Sequence, residues 1–174
     1  MRTSVAHTFF VNAEFDRAIE EDRDDPPFVT LHALLSTGRR DEAHAVCQRM
    51  KESGLTHLRP ELSAVRAVID GRHADGAAAM QGALSRRSFK DPEGFFYWAL
   101  TLMLLGDRPA ALDLLQRAVA GGLNCPRAFE LNPLLDPLRG HTAFSDMLTR
   151  VRAAHDEAAT AFHAAGGRRL LGLP

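Results

Sequence analysis

Residues 104–111 read Leu-Leu-Gly-Asp-Arg-Pro-Ala-Ala, two apolar residues followed by a glycine, then by two charged residues and a proline. Two earlier segments repeat this pattern: Leu-Leu-Ser-Thr-Gly-Arg-Arg-Asp-Glu-Ala at 34–43 and Val-Ile-Asp-Gly-Arg-His-Ala-Asp-Gly at 68–76. A glycine after an apolar helical run ends one helix, and the charged stretch after it begins the next. The turn glycines are 33 and 35 residues apart: Gly38, Gly71 and Gly106. This spacing predicts consecutive helix pairs, each joined by a short turn.

The composition also favours helices over strands. Ala and Leu together number 50, whereas Val and Ile number 10, and β-branched side chains lose rotamer freedom in a helix while Ala loses none. Asp91-Pro92 is typical of a capped helix start, and Gly106 of the end of the same helix. Residues 121–141 are rich in Pro and Gly, which predicts short turns of helix. Longer helices are predicted over 4–12, 14–22, 27–37, 41–53, 60–70, 74–86, 92–105, 108–120 and 142–165.

The three junctions resemble those of the tetratricopeptide repeat family. Five residues after each turn glycine stands a small residue, where the second helix of that family crosses the first: Ala43, Gly76 and Ala111. The resemblance implies an all-α fold, a right-handed α–α superhelix in which each helix pair buries its apolar face against its neighbours. It divides one domain, 1–174, into a partial repeat at 4–23, repeats at 24–57, 58–91 and 92–125, a proline-rich connection at 126–141 and a capping helix at 142–165.

The C-terminal third has a different character. The predicted helix 142–165 carries an apolar stripe that we expect to dock on the last repeat: Phe144, Met147, Leu148, Val151, His155, Ala158 and Phe162. Together with Asn-Pro-Leu-Leu-Asp-Pro-Leu-Arg at 132–139, this segment is similar to the C-terminal tails of tetratricopeptide segments in large bacterial signalling proteins. In that group such segments follow serine/threonine kinase, nucleotide cyclase or winged-helix regulator domains. The resemblance implies a bacterial signalling context. Residues 4–10 look like the inside of a repeat, so excision from a longer protein is one expectation.

Charge and composition exclude several classes of function. The 21 basic and 22 acidic side chains give a formal net charge of -1 and a pI of about 6.7. Such a chain lacks the net positive field that holds nucleic acid or an anionic membrane, so neither is an expected partner. No apolar run approaches the roughly 18 residues of a membrane-spanning helix. Cys47 and Cys125 are too few for a disulfide framework, and we expect a cytoplasmic location.

No arrangement of side chains in the sequence indicates catalysis. The eight histidines are dispersed, without the spacing of metal ligands. Carboxylates such as Glu61, Glu93 and Asp156 form no paired motif and are expected on solvated faces. We therefore expect no enzyme activity, no cofactor and no metal. A helical enzyme stays open as a further hypothesis, and it requires a deep polar pocket around His32 or His141 with a carboxylate neighbour.

The remaining expected function is the binding of another protein through a surface of the repeats. In the tetratricopeptide family the first helix of each pair lines a concave groove, and the resemblance assigns one set of residues, here called the inner face, to that groove: Phe28, His32, Ser36, Glu61, Val65, Phe96, Leu100 and Met103. Aromatic and Met side chains there suit a helix or an extended apolar segment of a partner. We expect a protein-interaction scaffold whose ligand is a peptide or protein segment.

Two alternatives stay open beside this hypothesis. The first concerns the groove, which the protein's own N- or C-terminal helix can fill in place of a partner. The second is a homo-oligomerising structural domain in which Phe9, Phe10, Phe89 and Phe144 bury a contact between copies of the chain. The mass of the protein in solution separates the second alternative from a scaffold that binds a different protein.

Overall fold

The computed structural model of the chain describes residues 5–22, 27–52, 59–85 and 91–172. These residues form helices and turns, with no strand among them, so the all-α prediction is confirmed. The helices are α1 (Val5–Val11), α2 (Phe15–Glu21), α3 (Phe28–Ser36), α4 (Arg40–Glu52), α5 (Arg59–Ile69), α6 (His73–Leu84), α7 (Pro92–Leu105), α8 (Arg108–Ala120), α9 (Pro126–Leu131), α10 (Thr142–Ala164) and α11 (Gly167–Leu170), with a 3-10 helix at Pro133–Leu138.

Three helix pairs follow one another along the chain: α3 with α4, α5 with α6, and α7 with α8. The glycines that join them have φ angles of +73°, +73° and +85°, a backbone region that side chains with a Cβ enter only at a cost. Asp91 and Asp107 accept hydrogen bonds from the backbone N–H groups of Glu93 and Ala110, each at 3.2 Å, and so cap α7 and α8. The small residues five positions after the turn glycines, Ala43, Gly76 and Ala111, are all buried.

Helices that are consecutive in the chain pack against each other from α1 through α8. Further contacts join α1 to α3 and α5 to α7, which brings together the first helices of neighbouring pairs. The larger of two apolar clusters runs from α1 through α7 and α8 to α10, and the smaller one joins α3, α4 and α5. The first helices of the pairs therefore converge in the interior of the molecule.

The C-terminal segment closes one end of this arrangement. The predicted short turns at 121–141 are the helix α9 and the 3-10 helix, which Asn132 caps by accepting from the Leu134 N–H at 3.0 Å. Helix α10 buries Phe144, Met147 and Val151 and contacts α8 and α9.

The prediction that the whole apolar stripe of this helix docks is wrong beyond Val151. His155, Ala158 and Phe162 are exposed, because α10 is longer than the face against which it packs, and of these His155 keeps one contact, with its Nδ1 atom 3.3 Å from the Asn124 carbonyl oxygen. The helix α11, which the sequence analysis did not predict, follows α10 after a turn. The ring of Phe162 lies against Gly167, at a distance that leaves no room for a Cβ atom there.

Candidate partner-binding site

The inner face lies mostly in the interior of the molecule. His32 is 0% exposed and Glu61 is 2% exposed, and Phe28 and Met103 are half-buried. The other members of the set are buried as well: Ser36, Val65, Phe96 and Leu100. A partner that contacts the buried residues directly must first displace the part of this chain that covers them.

Helix α1 packs against α7 at one inner-face residue, Phe96, and at its neighbour Tyr97. The Phe10 ring is buried with its centroid 5.2 Å from that of Tyr97 and 6.4 Å, edge-on, from that of Phe96. Phe129 of α9 packs against another edge of Phe96, with the centroids 5.5 Å apart. The buried Phe96 ring is therefore in contact with α1 and α9 of the same chain.

Polar contacts fix the position of α1. His7 lies with its Nδ1 atom 2.7 Å from the Tyr97 hydroxyl and its Nε2 atom 3.7 Å from Glu93 Oε1. Just after the helix, Asn12 accepts a hydrogen bond of 2.6 Å from Arg127 Nε at the start of α9. These contacts join the first described helix and the turn after it to residues of α7 and α9 that lie 90 and 115 positions further along the chain.

A second polar group, here called the central cluster, lies where α3, α5 and α7 meet. The Trp98 indole donates to Glu61 Oε2 at 2.7 Å, and His32 Nε2 is 3.3 Å from Glu61 Oε1. The expectation that Glu61 lies on a solvated face is wrong. Its indole donor stands 37 residues further along the chain, and no local pattern indicates such a contact.

The charges around Tyr97 are negative. Burial raises the pKa of Tyr97 well above its ordinary value of 10.0, and the carboxylates of Glu93, Asp22 and Glu61 raise it further. Burial lowers the pKa of His7 below its ordinary 6.5, while Glu93 and Asp91 act in the opposite direction. At neutral pH Tyr97 is therefore a neutral phenol, and His7 is a neutral imidazole facing carboxylates.

The further hypothesis of a helical enzyme required a histidine in a polar pocket. His141 is exposed at the start of α10. His32 has the required carboxylate neighbour, but both side chains are buried, so a substrate has no access to this pair in the structure. Within the described ranges, no group of three or more His, Cys, Asp and Glu side chains is placed to hold a metal ion. No helix described here has the length and apolarity to cross a bilayer.

The residues suggested for a contact between copies lie in different environments. Phe10 and Phe144 are buried in the core, and Phe9 is half-buried with the Arg17 guanidinium 3.9 Å from its ring centroid. Phe89 lies outside the described residues. Among the residues that the structure describes, the exposed large apolar side chains form a different set: Val5, Leu131, Phe162, Leu170 and Leu171.

Comparison of the chain with protein-family models, with curated proteins and with solved structures gives no match. The site is therefore defined by its own geometry.

His7 and Tyr97 were not predicted from the sequence as members of this site, although one signal was present. Tyr97 and Trp98 are the single Tyr and single Trp of the chain, adjacent in the most apolar of the helix pairs, where buried polar rings need hydrogen-bond partners.

Proposed function

We propose that this chain is a tetratricopeptide-like helical repeat module that binds a segment of a protein partner and has no catalytic role. One observation carries the proposal: Phe10 of helix α1 packs against the inner-face residue Phe96 and against its neighbour Tyr97. A face that accepts an amphipathic helix from the same chain offers the aromatic contacts that a helix from another chain needs.

The repeat organisation supports the same proposal. The three helix pairs recur at intervals of 33 and 35 residues, and their first helices converge on the inner face. Stacked helix pairs of this kind form a right-handed superhelix with an extended surface suited to protein ligands. The tail that resembles bacterial signalling proteins favours a scaffold in a regulatory protein of the cytoplasm, with neither nucleic acid nor membrane as a partner.

A second candidate is self-assembly through the C-terminal segment. Leu170 is 77% exposed, and the side chains of Leu171 and Phe162 in the same segment are exposed as well. Burying these three side chains against a second copy would remove apolar area from water, which favours association. This candidate replaces the contact that the sequence analysis assigned to Phe9, Phe10, Phe89 and Phe144.

Photo-crosslinking from defined positions tests the proposed function. A photoreactive amino acid replaces Met103, which is half-buried at the inner face, or Asp113, which is exposed on α8 and serves as the matched control. In living cells that express the full chain, we expect one discrete adduct with another protein from position 103 and none from position 113. The same adducts from both positions, or none from either, would contradict the proposal.

The mass of the adduct separates the two candidates. An adduct of two chains of 19.1 kDa each identifies a homo-oligomer. Light scattering on the purified chain measures its mass in solution independently. If the chain self-assembles through the C-terminal segment, we expect the double variant Leu170→Glu, Leu171→Glu to have the mass of a single chain. An adduct of any other mass identifies a different protein bound at the inner face.

A further inference from the structure

Buried polar atoms without a hydrogen-bond partner are concentrated at one place in the described part of the chain. Five side-chain atoms among the described residues are of this kind, and four of them belong to the inner face: His32 Nδ1, His32 Nε2, Ser36 Oγ and Glu61 Oε1. The fifth is Asn132 Nδ2. Nearly all buried polar groups in native proteins are bonded to another protein group or to an ordered water molecule. Four such atoms on two helices therefore point to a bound molecule.

The four atoms come from the first helices of two neighbouring pairs, α3 and α5. His32 and Ser36 are four residues apart on α3, so their side chains lie on the same face of that helix. Glu61 of α5 approaches this face, with its Oε1 atom 3.3 Å from His32 Nε2, while its Oε2 atom accepts from the Trp98 indole. All three side chains are buried, so bulk water does not reach these atoms in the structure.

These protein groups do not satisfy one another in any protonation state of His32. A neutral imidazole has one nitrogen that donates and one that accepts, and a carboxylate only accepts. With the proton on Nε2, the Nδ1 atom needs a donor; with the proton on Nδ1, the Nε2 atom faces the Glu61 oxygen as a second acceptor. A doubly protonated ring leaves the Nδ1–H without an acceptor. In each state a molecule from outside the chain is needed to complete the hydrogen bonds.

The chemistry of the four atoms selects a small neutral molecule that both donates and accepts. The Glu61 carboxylate disfavours an anion. A metal ion lacks ligands, because no group of three or more His, Cys, Asp and Glu side chains within the described ranges is placed to hold one. Ser36 has the smallest side chain of the inner face, so we expect the molecule beside it. A buried water molecule typically makes about three hydrogen bonds to polar groups that have no other partner.

We propose that one water molecule is bound between α3 and α5 as an internal part of the fold, with Ser36, Glu61 and His32 as its partners. The water donates to Glu61 Oε1 and to the unprotonated ring nitrogen of His32, and it accepts from the Ser36 hydroxyl. It joins two neighbouring helix pairs and compensates part of the cost of burying the Glu61 carboxylate. This inference goes beyond the proposed function and does not depend on a protein partner.

The sign of the stability change in Ser36→Ala gives a first test. If Ser36 has no partner, the substitution removes an unsatisfied buried hydroxyl and the urea midpoint of the full chain rises. If Ser36 holds the water, the substitution removes one of its partners and the midpoint falls. Ser63→Ala, at an exposed position of α5, measures the effect of the helix propensity of Ala alone. We expect the midpoint of Ser36→Ala to lie below that of Ser63→Ala, and a midpoint at or above the control overturns the inference.

Relaxation dispersion of the water ¹⁷O signal counts long-lived internal water molecules directly. We expect Ser36→Val, whose methyl groups occupy the place beside α5, to hold one such water fewer than the wild-type chain. Thr101→Val is the matched control, because the buried Thr101 hydroxyl already donates to the Tyr97 carbonyl oxygen at 3.3 Å, and we expect its count to stay unchanged. Equal counts in the wild type and Ser36→Val overturn the inference. A crystal structure of the wild-type chain without a water between Ser36 and Glu61 overturns it even where Ser36→Val fails to fold.

Discussion

Three side chains from three helices meet in the central cluster. Glu61 accepts from the Trp98 indole and lies 3.3 Å from His32 Nε2, and all three side chains are buried. A carboxylate removed from water is costly unless hydrogen bonds and charge partners compensate it. Any shift of α3, α5 or α7 that separates these groups is therefore opposed.

The contribution of the indole is testable with Trp98→Phe. This substitution keeps an aromatic ring in the core but removes the N–H that donates to Glu61 at 2.7 Å. We expect the free energy of unfolding to fall by about 2 kcal/mol, the cost of leaving a buried acceptor without its donor. Urea denaturation followed by circular dichroism measures the change, with Glu20→Gln on the exposed side of α2 as the control. An unchanged midpoint would show that the bond does not hold the cluster together.

The titration of His7 predicts a pH dependence of stability. Burial lowers the pKa of His7 in the folded chain below the ordinary value of 6.5, so the unfolded chain binds more protons just below that pH. The stability that His7 contributes is therefore complete above pH 6.5 and decreases as the pH falls toward the folded pKa.

A variant without this titrating group isolates the effect. We expect His7→Asn to flatten the stability profile just below pH 6.5, whereas His73→Asn, at an exposed position of α6, leaves the wild-type slope unchanged. Chemical denaturation at a series of pH values measures both profiles. Identical slopes for the wild type and His7→Asn would show that His7 is equally protonated in the folded and unfolded chains.

At the scale of helices, local chemistry decides where each one begins and ends. Gly106 ends α7 with a φ of +85°, and the next helix begins at once with its cap at Asp107. A Cβ at position 106 meets nothing within 4 Å, so the demand for glycine comes from the backbone angle alone. Two neighbouring helices of one pair therefore depend on a single residue for the turn that makes them antiparallel.

Substitutions at two glycines are expected to have opposite signs. Gly106→Ala places a Cβ in the left-handed region and lowers the free energy of unfolding by about 1–2 kcal/mol. Gly82→Ala lies inside α6, where a Cβ also meets nothing within 4 Å, and raises the free energy of unfolding by about 0.5–1 kcal/mol. Thermal unfolding of the two variants checks both signs. A loss of stability for Gly82→Ala would point to a packing contact at that position.

The nine longer helices in the described ranges could be predicted to within two residues at each end, because caps such as Asp91 and turns such as Gly106 act through the backbone beside them. The buried half of α10 could not be distinguished from its exposed half, since Ala158 and Phe162 continue the pattern of Phe144 and Val151. Whether a stripe is covered depends on the size of the neighbouring helices, and the periodicity of one helix contains no information about that.

At the scale of the whole molecule, the chain joins its first described helix to its later ones. Phe10 of α1, Phe96 of α7 and Phe129 of α9 form a continuous row of ring contacts. The sequence analysis placed Phe96 in a partner-binding groove and Phe10 in a contact between copies, and the apolar pattern of a helix does not indicate which rings touch. The members of the inner face could be proposed from a resemblance, whereas the helix that covers them depends on contacts between residues far apart in the chain.

This row of rings predicts that damage to α1 reaches α7. Phe10→Ala removes a buried ring that contacts both Phe96 and Tyr97. We expect the free energy of unfolding to fall by about 3–5 kcal/mol and amide hydrogen exchange to accelerate in α1 and in α7, but not in α10. Leu170→Ala, at a position that is 77% exposed, is the matched control and leaves exchange in α1 and α7 unchanged. Exchange that accelerates in α1 alone would mean that α7 keeps its structure without the helix that covers it, and α1 would then be a dispensable cover over a preformed site.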